Sequence, residues 1–162
     1  MSTQYRGSAA EILALDAFIK LMRATDSLTA DLSRHVAEHQ LTLGQFGALE
    51  ALLHLGPMSH VDLGDKLLRS GSNVTMLIDN LQKRGLVSRT RRKDDRRVID
   101  VALTDTGREL IATLFPTHAR HIVQLFGTLS PEQQQQLGDL CRTLGRGVAQ
   151  KKSAFGSQEV GS

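Results

Sequence analysis

Ile12, Leu15, Ile19, Met22, Leu28, Leu32 and Val36 recur at spacings of three, four and six, and neither Pro nor Gly interrupts Ala9 to Val36. That pattern predicts one long helix with a broad apolar face. Thr42 precedes a second apolar set, Phe46, Leu49, Leu52 and Leu53, and Gly56-Pro57 ends it. Glycine accepts a left-handed cap and proline cannot continue a helix. Ser59 reads as an N-cap with Asp62 three residues on, opening a short helix that buries Val61, Leu63 and Leu67. Arg69-Ser70-Gly71-Ser72 reads as a tight turn. Val74, Leu77, Ile78 and Leu81 then fall at i, i+3, i+4 and i+7, predicting a helix to about Arg84 that Gly85 closes.

After Gly85 the period changes. Leu86 to Arg92 and Val98 to Leu103 read as two strands, the second placing Ile99, Val101 and Leu103 on one face. A charged loop, Lys93 to Arg97, joins them. Thr104 caps another long helix through about Phe126, in which Pro116 should cause a kink or an interruption near Phe115. Ser130-Pro131-Glu132-Gln133 is a helix start, with Ser at N-cap, Pro at N1 and Gln at N3. The last helix carries Leu137, Leu140, Cys141, Leu144 and Val148 on one face, and residues 151–162 show no periodicity and are expected to form a disordered tail. The order helix, short helix, turn, helix, two strands is that of a winged helix-turn-helix. The expected architecture is mainly α with a small β-hairpin wing. One domain spans residues 1–150, with the winged lobe at 42–104 and helical dimerisation regions at 9–37 and 105–150.

Composition narrows the class. The chain has 162 residues, 4% aromatic and without Trp, so its core must be aliphatic. The formal net charge is only +3, but the charge is unevenly placed. Residues 59–104 hold 10 basic and 6 acidic side chains, whereas residues 1–58 hold 4 and 6. A single cysteine, Cys141, excludes an intrachain disulfide and fits a reducing cytoplasm. No basic start followed by an apolar run marks a signal peptide, and no apolar stretch is long enough to span a membrane.

The helix after the turn should enter a DNA major groove by its N-terminal end. Its apolar stripe packs inward, and the opposite face shows Ser72, Asn73, Thr75, Met76, Asn80 and Lys83. Asn pairs with an adenine edge, Ser and Thr with bases or phosphate, and the Met or Thr methyl touches the thymine methyl. Ser70 and the backbone N–H groups of the helix start suit a phosphate. Arg89, Arg91, Arg92, Lys93, Arg96 and Arg97 form a basic finger suited to phosphates or to the narrow minor groove. The expected partner is double-stranded DNA. The Leu-rich faces of the end helices exceed what one winged lobe can cover, which predicts a homodimer.

Ser70-Gly71-Ser72-Asn73-Val74-Thr75, Leu81-Gln82-Lys83-Arg84-Gly85-Leu86-Val87, Asp94-Asp95-Arg96-Arg97 and Leu103-Thr104-Asp105-Thr106-Gly107 together resemble the MarR family of bacterial regulators. The resemblance covers about Ala9 to Ala149, with the motifs confined to Ser59 to Gly107. It implies an obligate dimer on a pseudopalindromic operator, usually a repressor, released by small anionic or phenolic molecules, metals or oxidants. It maps the family's wing pair onto Asp95 and Arg97, with Arg97 reaching the minor groove, Asp95 holding it in position and Arg96 on phosphate. It also implies an effector pocket where the first, second and fifth helices meet the DNA-binding lobe, for which Met22, His35, Phe46, His54, Phe115 and His118 are the candidate lining residues. Phe115-Pro116-Thr117-His118-Ala119 and Phe126-Gly127-Thr128-Leu129-Ser130 are similar to a branch answering quinones and phenolic compounds.

Other sensors have less to work with. The peroxide-sensing members' cysteine near the start of the first helix is missing, and Cys141 on an apolar helix face reads as a small hydrophobe. His35 and His39, and His118 and His121, have spacings that put two zinc ligands on one helix face. The zinc-sensing relatives' Glu-His pair is absent from Thr42-Leu43-Gly44-Gln45-Phe46-Gly47, however. Neither metal nor cofactor is expected, and a metal- or redox-responsive regulator of the same fold is the alternative. A winged-helix module that binds protein would call for an acidic wing and an apolar exposed helix. The chain has no phosphate-cradling glycine loop, nucleophile elbow or carboxylate cluster, so an enzyme is not expected.

Overall fold

The computed structural model describes residues 3–67, 71–92, 94, 95 and 97–156, without the side chains of 71, 72 and 151–156. Helix α1 (Ala9–Ala37) opens on Ser8, whose hydroxyl accepts the Glu11 N–H at 3.3 Å while the Glu11 carboxylate accepts the Ser8 N–H at 2.7 Å. Helix α2 (Leu43–Leu55) repeats this reciprocal cap with Thr42 and Gln45, at 3.2 and 3.0 Å. Each cap satisfies two N–H groups that a helix start leaves without partners. The α2 end turns at Gly56, with φ +81°.

Strand β1 (Met58–Ser59) follows and was not expected from the sequence, because two residues are too few to show a period. Ser59 also caps α3 (His60–Leu67), accepting the Asp62 N–H at 3.1 Å and donating to the Asp62 carboxylate at 2.7 Å. In α3, Leu63 is buried and Leu67 half-buried, but Val61 is exposed and not packed inward as the sequence reading expects. Helix α4 (Gly71–Lys83) includes Gly71 and Ser72, which are helical and not part of a turn; the rest of the expected turn, 69 and 70, lies outside the described residues. The α4 end is a Schellman cap, with Gly85 N–H to the Gln82 carbonyl at 2.9 Å and Leu86 N–H to the Leu81 carbonyl at 3.0 Å.

Strands β2 (Val87–Arg91) and β3 (Ile99–Leu103) complete an antiparallel sheet in the order β1-β3-β2. Val87 lies opposite Leu103, Arg89 opposite Val101 and Arg91 opposite Ile99. Helix α5 (Asp105–Phe126) starts at Thr104, whose hydroxyl accepts the Gly107 N–H at 3.0 Å and donates to the Gly85 carbonyl at 2.6 Å. A β-carbon on Gly107 would lie 1.9 Å from the Leu86 carbonyl oxygen, so only glycine allows this approach of helix to strand. Helix α5 runs through Pro116 without interruption. Helix α6 (Pro131–Gly156) passes the expected limit at residue 150, since nothing between Lys151 and Phe155 breaks a helix; the remainder of the expected tail, 157–162, lies outside the described residues.

The chain forms two compact units, Met1–Ala119 and Arg120–Ser162. The core lies in the first, where Leu49, Leu52, Leu63, Ile78, Leu81 and Ile111 are fully buried. In the second, Leu137, Leu140, Leu144 and Val148 of α6 are all exposed. No helix among the described residues is long and apolar enough to cross a membrane.

Candidate nucleic-acid interface

Helix α4 has two faces. Val74, Leu77, Ile78 and Leu81 are buried against the lobe, and the opposite side leaves Asn73, Thr75, Met76, Asn80 and Lys83 exposed. A 3.6-residue period produces this division and concentrates amides, a hydroxyl and a thioether on one exposed face. Ser72 lies in the first turn of α4, and Ser70 lies outside the described residues.

The wing is built by hydrogen bonds local to its tip. The Val98 N–H donates to the Asp95 carbonyl at 3.0 Å, and the Arg92 N–H donates to the Val98 carbonyl at 3.0 Å. The Asp95 carboxylate accepts the Arg97 N–H at 3.0 Å, a local side-chain clamp of the kind Asp makes two residues ahead in turns. Asp95 therefore fixes the backbone that carries Arg97, and the Arg97 side chain is exposed. Arg91, at the end of β2, is also exposed. Lys93 and Arg96 lie outside the described residues.

Two arginines of the expected finger have other partners. Arg89 faces Val101, which is fully buried, so strand alternation turns Arg89 toward the lobe. There its guanidinium pairs with Asp79 of α4. Arg89 thus ties the wing to the readout helix, whereas Arg91, two residues on along the same strand face, and Arg97 are exposed. Arg92 forks onto Asp100 of the neighbouring strand, Nε at 3.0 Å and Nη2 at 2.6 Å. That hydrogen-bonded pair holds the Asp100 carboxyl below its usual range and raises the Arg92 guanidinium. The finger's open charge among the described residues is therefore smaller than the count of its arginines. Sequence reasoning missed both carboxylate partners, although Asp100 was visible on the polar side of an alternating strand. It also missed His60, at the start of α3 with Nε2 buried, near the Arg89–Asp79 pair.

Five of the six candidate effector residues fall into two ring clusters. His118 of α5 is buried, tilted on Phe46 at 4.2 Å and stacked with His35 of α1 at 5.6 Å. His54 of α2 lies edge-on to Phe115 at 4.6 Å. Met22 is exposed on α1 and takes part in neither cluster. His39 is edge-on to His35 at 6.5 Å, and among the described residues no three His, Cys, Asp or Glu side chains converge to hold a metal ion. Cys141 is exposed in the single chain, beside the open leucines of α6, where the sequence reading has it packed.

This arrangement is matched by known proteins. The MarR family model matches residues 41–99. The HTH-type transcriptional regulator MhqR of Bacillus subtilis is 31% identical over 85% of this chain and 94% of its own. The chain belongs to the MarR family. Like that family it is a DNA-binding transcriptional regulator. The structure of Bordetella bronchiseptica BpsR, described with the regulation of its DNA binding by 6-hydroxynicotinic acid, is 30% identical, with a TM-score of 0.72 over 80% of this chain and 98% of that one. The MarR regulator Sco3205 of Streptomyces coelicolor, solved in complex with DNA, is 25% identical, with a TM-score of 0.80 over 90% of this chain and 92% of that one. The family match at residues 41–99 runs from α2 into β3, so the MarR assignment and the α4–wing geometry describe the same part of the chain.

Proposed function

We propose that this MarR regulator is a homodimeric repressor whose two winged lobes bind the halves of a pseudopalindromic operator. In each lobe Ser72 of the first turn of α4 and the exposed Asn73, Thr75 and Met76 read the major groove, while Arg97 enters the minor groove. Arg91, with Lys93 and Arg96, meets phosphate. The observation that carries this reading is the Asp95 clamp on the Arg97 backbone, since a turn that holds one exposed arginine is suited to placing it in a groove. The test is operator binding against salt, with DNA from upstream of the protein's own gene. At least six phosphate contacts per dimer predict a log–log slope of about −5 or steeper. A slope near zero overturns the reading.

The effector in this proposal is a small hydroxylated aromatic compound, lodged among His35, Phe46 and His118 or between His54 and Phe115. The regulation of BpsR by 6-hydroxynicotinic acid supports the class, and the ring clusters supply the aromatic walls. Pro116 leaves the Ala112 carbonyl without its helical donor, a weak point beside Phe115. A ligand there shifts the lobe only through its differential affinity for two states, and tenfold release requires about 1.4 kcal/mol. Titration of phenolic compounds against free and operator-bound protein checks this, because the operator must weaken effector binding by the same factor. Equal affinity for both forms excludes the coupling.

A further inference from the structure

The Asp79–Arg89 pair joins the two elements that the operator complex needs. Asp79 lies on α4 between buried Ile78 and exposed Asn80, and its own side chain is 44% exposed. Arg89 is the middle residue of β2, an edge strand of the sheet. Its side chain is 23% exposed and its Nε is buried, so this guanidinium is committed to the lobe and not to phosphate. The start of β2 is held separately, by the Leu86 N–H on the Leu81 carbonyl and by the Thr104 N–H on the Leu86 carbonyl at 3.1 Å. From Arg89 outward β2 runs on to the tip, where the Asp95 clamp holds Arg97.

We propose that Asp79 and Arg89 are positioning residues for DNA binding: touching no DNA, their ion pair sets the spacing between α4 and the wing, so that Asn73 and Arg97 enter neighbouring grooves together. The proposal rests on the reading of α4 and Arg97 as DNA contacts. The grooves of a half-site keep a nearly fixed separation, because the duplex is stiff on that scale. A wing already held at that distance binds without losing further freedom, whereas a loose wing must be ordered at every encounter. The charge of Asp79 makes the argument sharper. A carboxylate beside a DNA face is unfavourable on charge alone, since phosphate repels it. Its place on the readout helix is accounted for by what it holds. Removing it leaves the Arg89 guanidinium half-buried without its counter-charge, free to leave α4 and take the middle of β2 with it.

Charge and position predict opposite signs for Asp79→Asn, a nearly isosteric change in the full-length protein. On charge alone, loss of a carboxylate near phosphate tightens operator binding. If the pair positions the wing, affinity falls about tenfold, a size within the range for coupled residues. Asp79→Arg with Arg89→Asp restores the pair in reverse. The double variant should bind operator better than either single one, although Asp79→Arg alone is the most positive of the three. Arg97 gives a second readout that general destabilisation would not move. Arg97→Ala should cost about tenfold in the parent but about twofold or less in Asp79→Asn, where the arginine is no longer aimed. A third readout needs no DNA: amide hydrogen exchange across residues 87–103 of the free protein should quicken in Asp79→Asn while α2 keeps its protection. Tighter operator binding by Asp79→Asn, a double variant no better than Asp79→Arg, an equal Arg97→Ala cost in both backgrounds, or unchanged exchange in the wing overturns the proposal. A wing that loosens in Asp79→Asn while even Arg97→Ala leaves operator affinity untouched overturns instead the reading of the DNA face, and leaves the tie between α4 and β2 in place.

Discussion

In the winged lobe, Leu49, Leu52, Leu63, Ile78 and Leu81 are fully buried within one chain. In α6, Leu137, Leu140, Leu144 and Val148 occupy one helical face, and every one of them is exposed. The same residue type at the same helical spacing has opposite environments in the two regions. Helix caps do not account for this, because α2 and α6 both start with a reciprocal cap, Thr42 with Gln45 and Ser130 with Gln133. The difference is what lies across from the apolar face. The lobe answers each leucine with another element of the same chain. An apolar helix face of this length open to water points to a second chain.

The largest effect should follow from charging the open face. Leu140→Glu with Leu144→Glu removes two leucines from each subunit of the proposed dimer. At roughly 1.5–3 kcal/mol per buried leucine, the loss over both subunits is about 6 kcal/mol or more. Sedimentation at micromolar concentration should show monomer, and operator binding should be lost. A double variant that remains fully dimeric would place the interface elsewhere.

Glycines sharpen the same contrast. Gly107→Ala in the lobe drives a β-carbon onto the Leu86 carbonyl, which cannot move without displacing β2 or the start of α5. The expected cost is about 3 kcal/mol, visible as a lower urea midpoint. Gly138→Ala in α6 meets nothing within 4 Å in the single chain. It should raise helix stability by about 0.5–1 kcal/mol. A loss of stability at Gly138 would show a partner helix packed against that position.

The lobe was also the more legible region. A strict 3.6-residue period in Val74, Leu77, Ile78 and Leu81 defined both faces of α4, since helix geometry leaves one way to bury that set. Gly85 and Thr104 marked their elements because each has a local reason, a positive φ of 69° in one case and a hydroxyl cap in the other. What escaped was long-range. Strand β1 depends on pairing with β3, which no two-residue pattern reveals. The roles of Arg89 and Arg92 depend on Asp79 and Asp100, and a run of charge does not say which members are already paired. The candidate effector rings came together in two groups and left Met22 apart, because face and depth on α1 are set by packing that a helical period describes only in part.

Within the interface, Arg97 and Asn73 should separate by kind of effect. Arg97→Ala removes one exposed charge and should weaken binding to most sequences, with an added loss where A·T pairs narrow the minor groove. Asn73→Ala should cost about 1–3 kcal/mol on the best operator and relax preference at one position of each half-site. Binding selections with both variants distinguish them. An Asn73 variant that weakens every sequence equally would move base reading to other residues of α4.

The smallest effect concerns His60, where the wing meets the readout helix. Partial burial, and then the Arg89 charge, hold its pKa below the usual histidine value, while Asp79 acts in the opposite direction. Burial and Arg89 prevail, so the folded lobe favours the neutral ring. With a folded pKa below the unfolded value of about 6.5, the stability from this site is fully present above that pH. It is lost as pH falls through the folded value, because unfolding then takes up a proton. The lowered carboxylates, Asp16 and Asp100 among them, lose their contribution only at lower pH, below the usual range near 4. The two sources of acid sensitivity therefore occupy separate windows. His60→Gln keeps a polar amide and removes the titration. Its urea midpoint should stay flat between pH 7 and 5.5, where that of the parent protein declines, and the two should fall together near pH 4. Parallel curves over the whole range would mean that His60 is as easily protonated in the folded lobe as in the unfolded chain, and that Arg89 is tied to α4 by Asp79 without help from a neutral imidazole.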